Sequence, residues 1–65
     1  MKDYRTIFKR KREKMGISQN KLAKMLGMAQ PFLSEIESGK KNPSLEIFFR
    51  ICEALDIELF PNEDE

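Results

Sequence analysis

Between Ser18 and Ser44 the sequence SQNKLAKMLGMAQPFLSEIESGKKNPS has room for two short helices and little else, because Gly27 and Gly39 each stop one. Glycine takes the left-handed backbone conformation that ends a helix without the steric penalty of a Cβ. Ser18 suits the N-cap of the first helix, since its hydroxyl can accept from an otherwise unpaired backbone N–H. Leu22, Ala23 and Leu26 then share one face. The second helix is expected from about Gln30 to Ser38, with Leu33 and Ile36 facing inward. Pro31 is acceptable in a first turn, where the missing N–H costs no helical bond.

The flanks extend the pattern. Residues 3–14 lack Gly and Pro, and Tyr4, Phe8 and Met15, with Ile7 and Arg12 alongside, trace a helical stripe that Gly16 ends. After Gly39, Pro43 fixes a loop, and either Asn42 or Ser44 caps a fourth helix. Leu45, Phe48, Ile51, Cys52 and Leu55 form its apolar stripe. Asp56 to Phe60 alternates polar and apolar residues and fits an added strand or a short fifth helix equally well. Residues 61–65 are expected to be a mobile acidic tail. The expected architecture is one all-α domain over residues 1–65, a compact bundle of four to five short helices containing a helix-turn-helix.

The single cysteine and the absence of histidine remove several functions at once. No disulfide can form within the chain, and the usual Cys/His zinc site cannot be built. The commonest general base is missing, as is any Ser/His or Cys/His pair. The expectation is a protein that is not an enzyme and holds neither cofactor nor metal. Cys52 lies in an apolar stripe, where a small core residue is a better reading than a redox switch. No apolar run approaches a membrane span, and the N-terminal MKDYRTIFKRKREK has no signal-peptide h-region.

A net charge of +1 conceals a gradient. Residues 1–14 carry +5, residues 15–43 carry +2 and residues 44–65 carry −6. Basic residues gathered on one side of a fold attract polyanions. Within the run Lys9 to Arg12, Lys9 or Arg10 is expected to reach a phosphate, and Arg12 to turn inward.

Three features then converge on double-stranded DNA. The outer face of the second glycine-bounded helix offers Gln30, Ser34 and Glu35: Gln can pair with adenine, Glu can accept from cytosine, and Ser is permissive. Glu35 either reads a cytosine or sits solvated on the rim. Ser18, Gln19, Asn20 and Lys21 open the preceding helix, where free N–H groups suit a phosphate oxygen. A lysine in a first turn opposes the helix dipole, a local penalty that a phosphate would reverse. Ser38, Lys40, Lys41 and Asn42 follow, placed to grip the flanking backbone.

Arg12, the run GISQNKLAKMLGM from Gly16 to Met28, the run SEIESGKKNPSL from Ser34 to Leu45 and the ICEAL of the fourth helix carry a family resemblance. Over residues 4–57 the chain resembles the lambda-repressor-like helix-turn-helix family, also called the Cro/C1 or XRE type. The resemblance implies a five-helix DNA-binding domain acting as a homodimer on palindromic operators, most simply as a cytoplasmic, nucleoid-associated repressor. It implies that Gln19 grips a phosphate, that Gln30 leads base contact with Glu35 second, and that Ser38 and Lys40 hold the backbone. It also implies that Arg12 and Glu37 form a partly buried salt bridge. Three positions depart from the pattern. Ala29 replaces the usual Ser or Thr cap, a change that typically costs about 1 kcal/mol. Pro31 stands at a frequent base-contacting position and offers only apolar contact there. Phe32 is bulky where small or polar residues are usual.

Phe49, Leu59 and Phe60 exceed what the core stripe needs and are assigned to a dimer seam. Met15, Met25 and Met28 are expected to fill gaps in the packing. An alternative function is an antitoxin-like interaction module whose acidic C-terminal segment holds a basic protein partner while DNA binding is autoregulatory.

Overall fold

Four helices occupy residues 3–59, the part of the chain that the computed structural model describes: α1 (Tyr4–Lys14), α2 (Gln19–Leu26), α3 (Gln30–Ser38) and α4 (Leu45–Ala54). Three begin on a side chain that accepts from their own first turn. Asp3 accepts from the Arg5 N–H, Ser18 from Lys21 and Ser44 from Ile47. Ser44 is thus the cap of α4, and Asn42 is released for another bond. The fourth, α3, starts at Ala29 with extended backbone and no side-chain cap.

All four helices end alike. A left-handed residue follows the last turn, and it and its successor donate N–H groups back to carbonyls of that turn. The pairs are Gly16–Ile17, Gly27–Met28, Gly39–Lys40 and Asp56–Ile57. This ending satisfies carbonyls that a helix terminus otherwise leaves unpaired. In the fourth instance aspartate takes the place of glycine, with φ at 56°, a conformation Asp tolerates better than most residues. The left-handed turn at Asp56 sends the chain away from α4. Residues 57–59 are therefore neither strand nor helix. Phe60 and the tail 61–65 lie outside the described residues.

The core draws on every helix: Phe8 from α1, Leu22, Ala23 and Leu26 from α2, Leu33 and Ile36 from α3, and Ile51 and Cys52 from α4, closed by Leu55. Each fully buried large apolar side chain contributes about 1.5–3 kcal/mol. Tyr4, Phe8 and Phe48 make a cluster between α1 and α4 with ring centroids 5.4–5.5 Å apart. Three expected core positions are instead exposed: Met15, Met25 and, at 69%, Leu45. Met15 caps the end of α1, past the last turn that packs. Leu45 opens α4 nearly two turns before the first buried residue of its stripe, Ile51. Met28 does pack against the core.

Candidate nucleic-acid interface

The tight turn at Gly27 brings the starts of α2 and α3 side by side, and two amides meet there. Gln30 Nε2 donates to Gln19 Oε1 at 2.7 Å. Gln19 Nε2 in turn donates to Glu37 Oε1 at 2.9 Å. Glu37 stands at the far end of α3, and Arg12 of α1 holds it from the other side. Arg12 Nε donates to Glu37 Oε2 at 2.8 Å and Nη2 to Oε1 at 3.1 Å, while Nη1 donates to the Ile17 carbonyl at 2.9 Å. The Arg12 and Glu37 side chains are only 9% and 3% exposed. Hydrogen bonding to Glu37 raises the Arg12 guanidinium above its already high pKa, against the opposing effect of burial. Arg12, despite its place in a basic run, is a structural cation.

The other candidates lie on α2, on α3 and in the loop that follows α3. Ser18, Asn20 and Lys21 are exposed at the start of α2, with the Ser18 hydroxyl already accepting from the Lys21 N–H at 3.0 Å. Pro31 is exposed beside Gln30, and Ser34 is half-buried one turn on. Lys9 of α1 lines one cleft with Gln19, Ser34, Glu37 and Ser38. Arg5, Lys9 and Arg10 border Ser38 in a second depression. The fold thus sets α1 cations beside α3. The acids Glu53, Asp56 and Glu58 gather elsewhere, around a groove floored by Phe49, Ile57 and Leu59. Phe49 and Leu59 are 45% and 40% exposed.

Three of the expected contacts at the end of α3 are partly engaged within the chain. Lys41 Nζ lies 3.6 Å from Glu35 Oε1 and 5.7 Å from the Phe32 ring centroid. The lysine thereby offsets the one carboxylate on the outer face of α3. The bulky Phe32 packs against the core beneath it. Asn42 Oδ1 accepts from the Tyr4 hydroxyl at 3.3 Å, fastening the loop after α3 to α1. Ser38 Oγ donates to the Glu35 carbonyl, and Lys40 remains exposed.

Sequence reasoning missed two arginines. Arg50 donates to the Leu26 carbonyl and so ties α4 to the last turn of α2. Its signal was available, since it is the sole cation among residues 44–65. Arg5 lies over Gly39, where a Cβ would clash with its Nη1, and its guanidinium is paired with Asp3. That pairing holds the Asp3 carboxyl at about 2. No local pattern announces the Arg5 contact with Gly39.

Among the described residues no group of acids and thiols could hold a metal ion, and no helix is long and apolar enough to cross a membrane.

Comparison with known proteins agrees with this geometry. The model of the family described as Helix-turn-helix matches residues 8–61. The chain is 36% identical over 53 residues to the ImmF control region 10 kDa protein of Bacillus phage phi105, covering 82% of this chain and 59% of that protein. It is 34% identical over 64 residues to an uncharacterized HTH-type transcriptional regulator of Archaeoglobus fulgidus, covering 94% of this chain and 91% of that one. It is 35% identical over 48 residues to Antitoxin HipB of Escherichia coli, covering 74% and 51%. The chain therefore spans little more than half the length of the phage protein and of the antitoxin. No solved structure gives a significant match. The chain belongs to the helix-turn-helix family of the Cro/C1 or XRE type, a family of DNA-binding transcriptional regulators.

Proposed function

We propose that the chain is a dimeric transcriptional repressor that reads a palindromic operator with α3 in the major groove. The observation that carries this reading is the Gln19–Gln30 amide pair, 2.7 Å apart at the adjoining starts of α2 and α3. Two joined amides at adjoining helix starts support a division of labour in which one reads a base and the other grips a phosphate, as docking by a helix-turn-helix needs. Gln30 reads adenine; Pro31, Ser34 and Glu35 border the bases. Ser18, Gln19, Asn20, Lys21, Ser38, Lys40, Lys41 and Asn42 hold phosphates, with Lys9 and Arg10 nearby. The exposed Phe49 and Leu59 form the seam between protomers, which sets the half-sites about one DNA turn, roughly 34–36 Å, apart.

Selection from a random DNA pool, followed by titration of the recovered site against salt, tests it. A two-fold symmetric motif bound with log-linear salt weakening is the expected result. No retention of any sequence at low salt would refute it. A second reading is favoured by the acids Glu53, Asp56 and Glu58 around the Phe49 groove and by the likeness to an antitoxin: the groove holds a basic protein partner. Capture of a co-encoded basic protein by the full chain, abolished on reversing those three charges while DNA binding persists, is the outcome that reading expects.

A further inference from the structure

The hydrogen bonds that join Arg12, Glu37, Gln19 and Gln30 all run one way. A guanidinium only donates and a carboxylate only accepts, whereas each glutamine carries both a carbonyl oxygen and an NH2 and could present either. The order follows from the buried end. Glu37 Oε1 can only accept, and beside the N–H of Arg12 it receives one from Gln19 at 2.9 Å. That leaves Gln19 only its oxygen to offer Gln30, which answers with Nε2 at 2.7 Å. Arg12 holds the carboxylate in place through two further bonds. Among the described residues no buried side-chain polar atom lacks a partner.

We propose that Glu37 is a specificity-determining residue: by fixing the direction of this chain, its carboxylate makes Gln30 select adenine over guanine. The proposal rests on the reading of Gln30 as a base-contacting residue. One N–H spent on Gln19 leaves Gln30 a carbonyl and one N–H. Those match the N6 amine and N7 of adenine. Guanine presents two acceptors, O6 and N7, and calls for two donors. Gln30 can supply two only by turning its oxygen toward Gln19. Gln19 would then have to donate to it and turn its own oxygen on the Glu37 carboxylate. With the Glu37 side chain 3% exposed, little water can come between a Gln19 oxygen and the carboxylate that would then face each other, so the reversed chain is disfavoured. Glu37 acts on base choice without needing to touch a base.

The test uses the full chain and the operator recovered by selection, with all four bases placed in turn at the position where Gln30→Ala flattens preference. Affinities are measured for the wild type, Gln19→Ala and Glu37→Gln. Gln19→Ala disconnects Gln30 from Glu37 but keeps the Arg12–Glu37 pair, so it carries the test even if Glu37→Gln folds poorly. Glu37→Gln is isosteric and can turn either an oxygen or an NH2 toward Gln19, which opens both directions. The wild type is expected to favour adenine over guanine there by roughly 5- to 150-fold. Both variants should bring the two bases to near-equal affinity, with preferences elsewhere in the site unchanged. Gln19 also grips a phosphate in that reading, a surface contact that a water can bridge, so it does not hold the direction as the buried carboxylate does; its loss in Gln19→Ala weakens every sequence alike and cancels in the ratio. An adenine-to-guanine ratio unchanged in Gln19→Ala, or in a folded Glu37→Gln, overturns the proposal and leaves Gln30 as a reader of bases. A wild-type preference for guanine at that position overturns it too. If Gln30→Ala flattens preference nowhere, the reading of Gln30 fails and this inference fails with it.

Discussion

Replacing Glu37 by alanine is expected to cost about 3–5 kcal/mol of folding stability, the usual penalty for removing one partner of a buried ion pair. Three donors are left without an acceptor: Arg12 Nε, Arg12 Nη2 and Gln19 Nε2. Only Arg12 Nη1 keeps a partner, the Ile17 carbonyl. With Arg12 at 9% exposure, the guanidinium cannot recover its hydration without opening the α1–α3 contact. A 65-residue domain typically has only roughly 3–10 kcal/mol of stability in total. The variant should therefore be partly unfolded near room temperature. At a urea dependence of about 1 kcal/mol per molar, its midpoint should fall by ~3 M or more. The matching control removes both charges. Arg12→Met with Glu37→Leu leaves no orphaned ion, and its stability should lie near the wild type or above it. Urea melts of Arg12→Met, Glu37→Leu and the double variant, followed by far-UV circular dichroism beside those of Glu37→Ala, close a double-mutant cycle. A loss below about 1 kcal/mol for Glu37→Ala, with additive singles, is the behaviour of an exposed pair and would refute the burial argument.

Other changes test other parts of the molecule. Ala29→Ser should supply α3 with its missing cap, stabilising the domain by about 1 kcal/mol and raising the thermal midpoint by roughly 4–8 °C; an unchanged midpoint would mean the start of α3 cannot form the cap. Lys40→Ala should weaken binding to all sequences alike and reduce the salt slope by about one, so a change in base preference would be the contrary result. Arg5 lowers the Asp3 carboxyl to about 2, against an unfolded value of about 3.9. The favourable contribution is therefore present above the unfolded value and is lost as pH falls through the folded one. Asp3→Asn should remove that small component of the acid dependence, seen by comparing thermal midpoints between about pH 5 and pH 2; parallel curves would argue against the pairing in solution.

Most helix boundaries were legible because they are local chemistry. Gly16, Gly27 and Gly39 mark left-handed endings, Ser18 marks a beginning, and each acts within one turn of its own position. The fourth ending was not read, because Asp56 does with an ordinary side chain what glycine does elsewhere. The two alternatives offered for residues 57–60 both assumed that regular structure resumes there. Leu45 shows a different limit. Its spacing puts it on the α4 stripe, but spacing cannot say how far the neighbouring helices extend to cover that stripe. At the site, residue types picked out Gln19 and Gln30 separately. Their bond to each other depends on how α2 and α3 are angled about Gly27, which no pattern within either helix contains. The Arg50 link to Leu26 is non-local in the same way.

Cys52 is the chain's single sulfhydryl and is buried to 3% exposure, and removal from water pushes its acidity down, so the pKa is raised. Alkylating reagents attack the thiolate, which the native packing both hides and suppresses. Modification in native buffer must then wait for molecules whose packing around α4 has come apart, and its speed counts them. Added operator should slow that modification in proportion to how tightly it binds the closed form. The protein in effect carries a built-in gauge of its own opening, readable by mass without any engineered label.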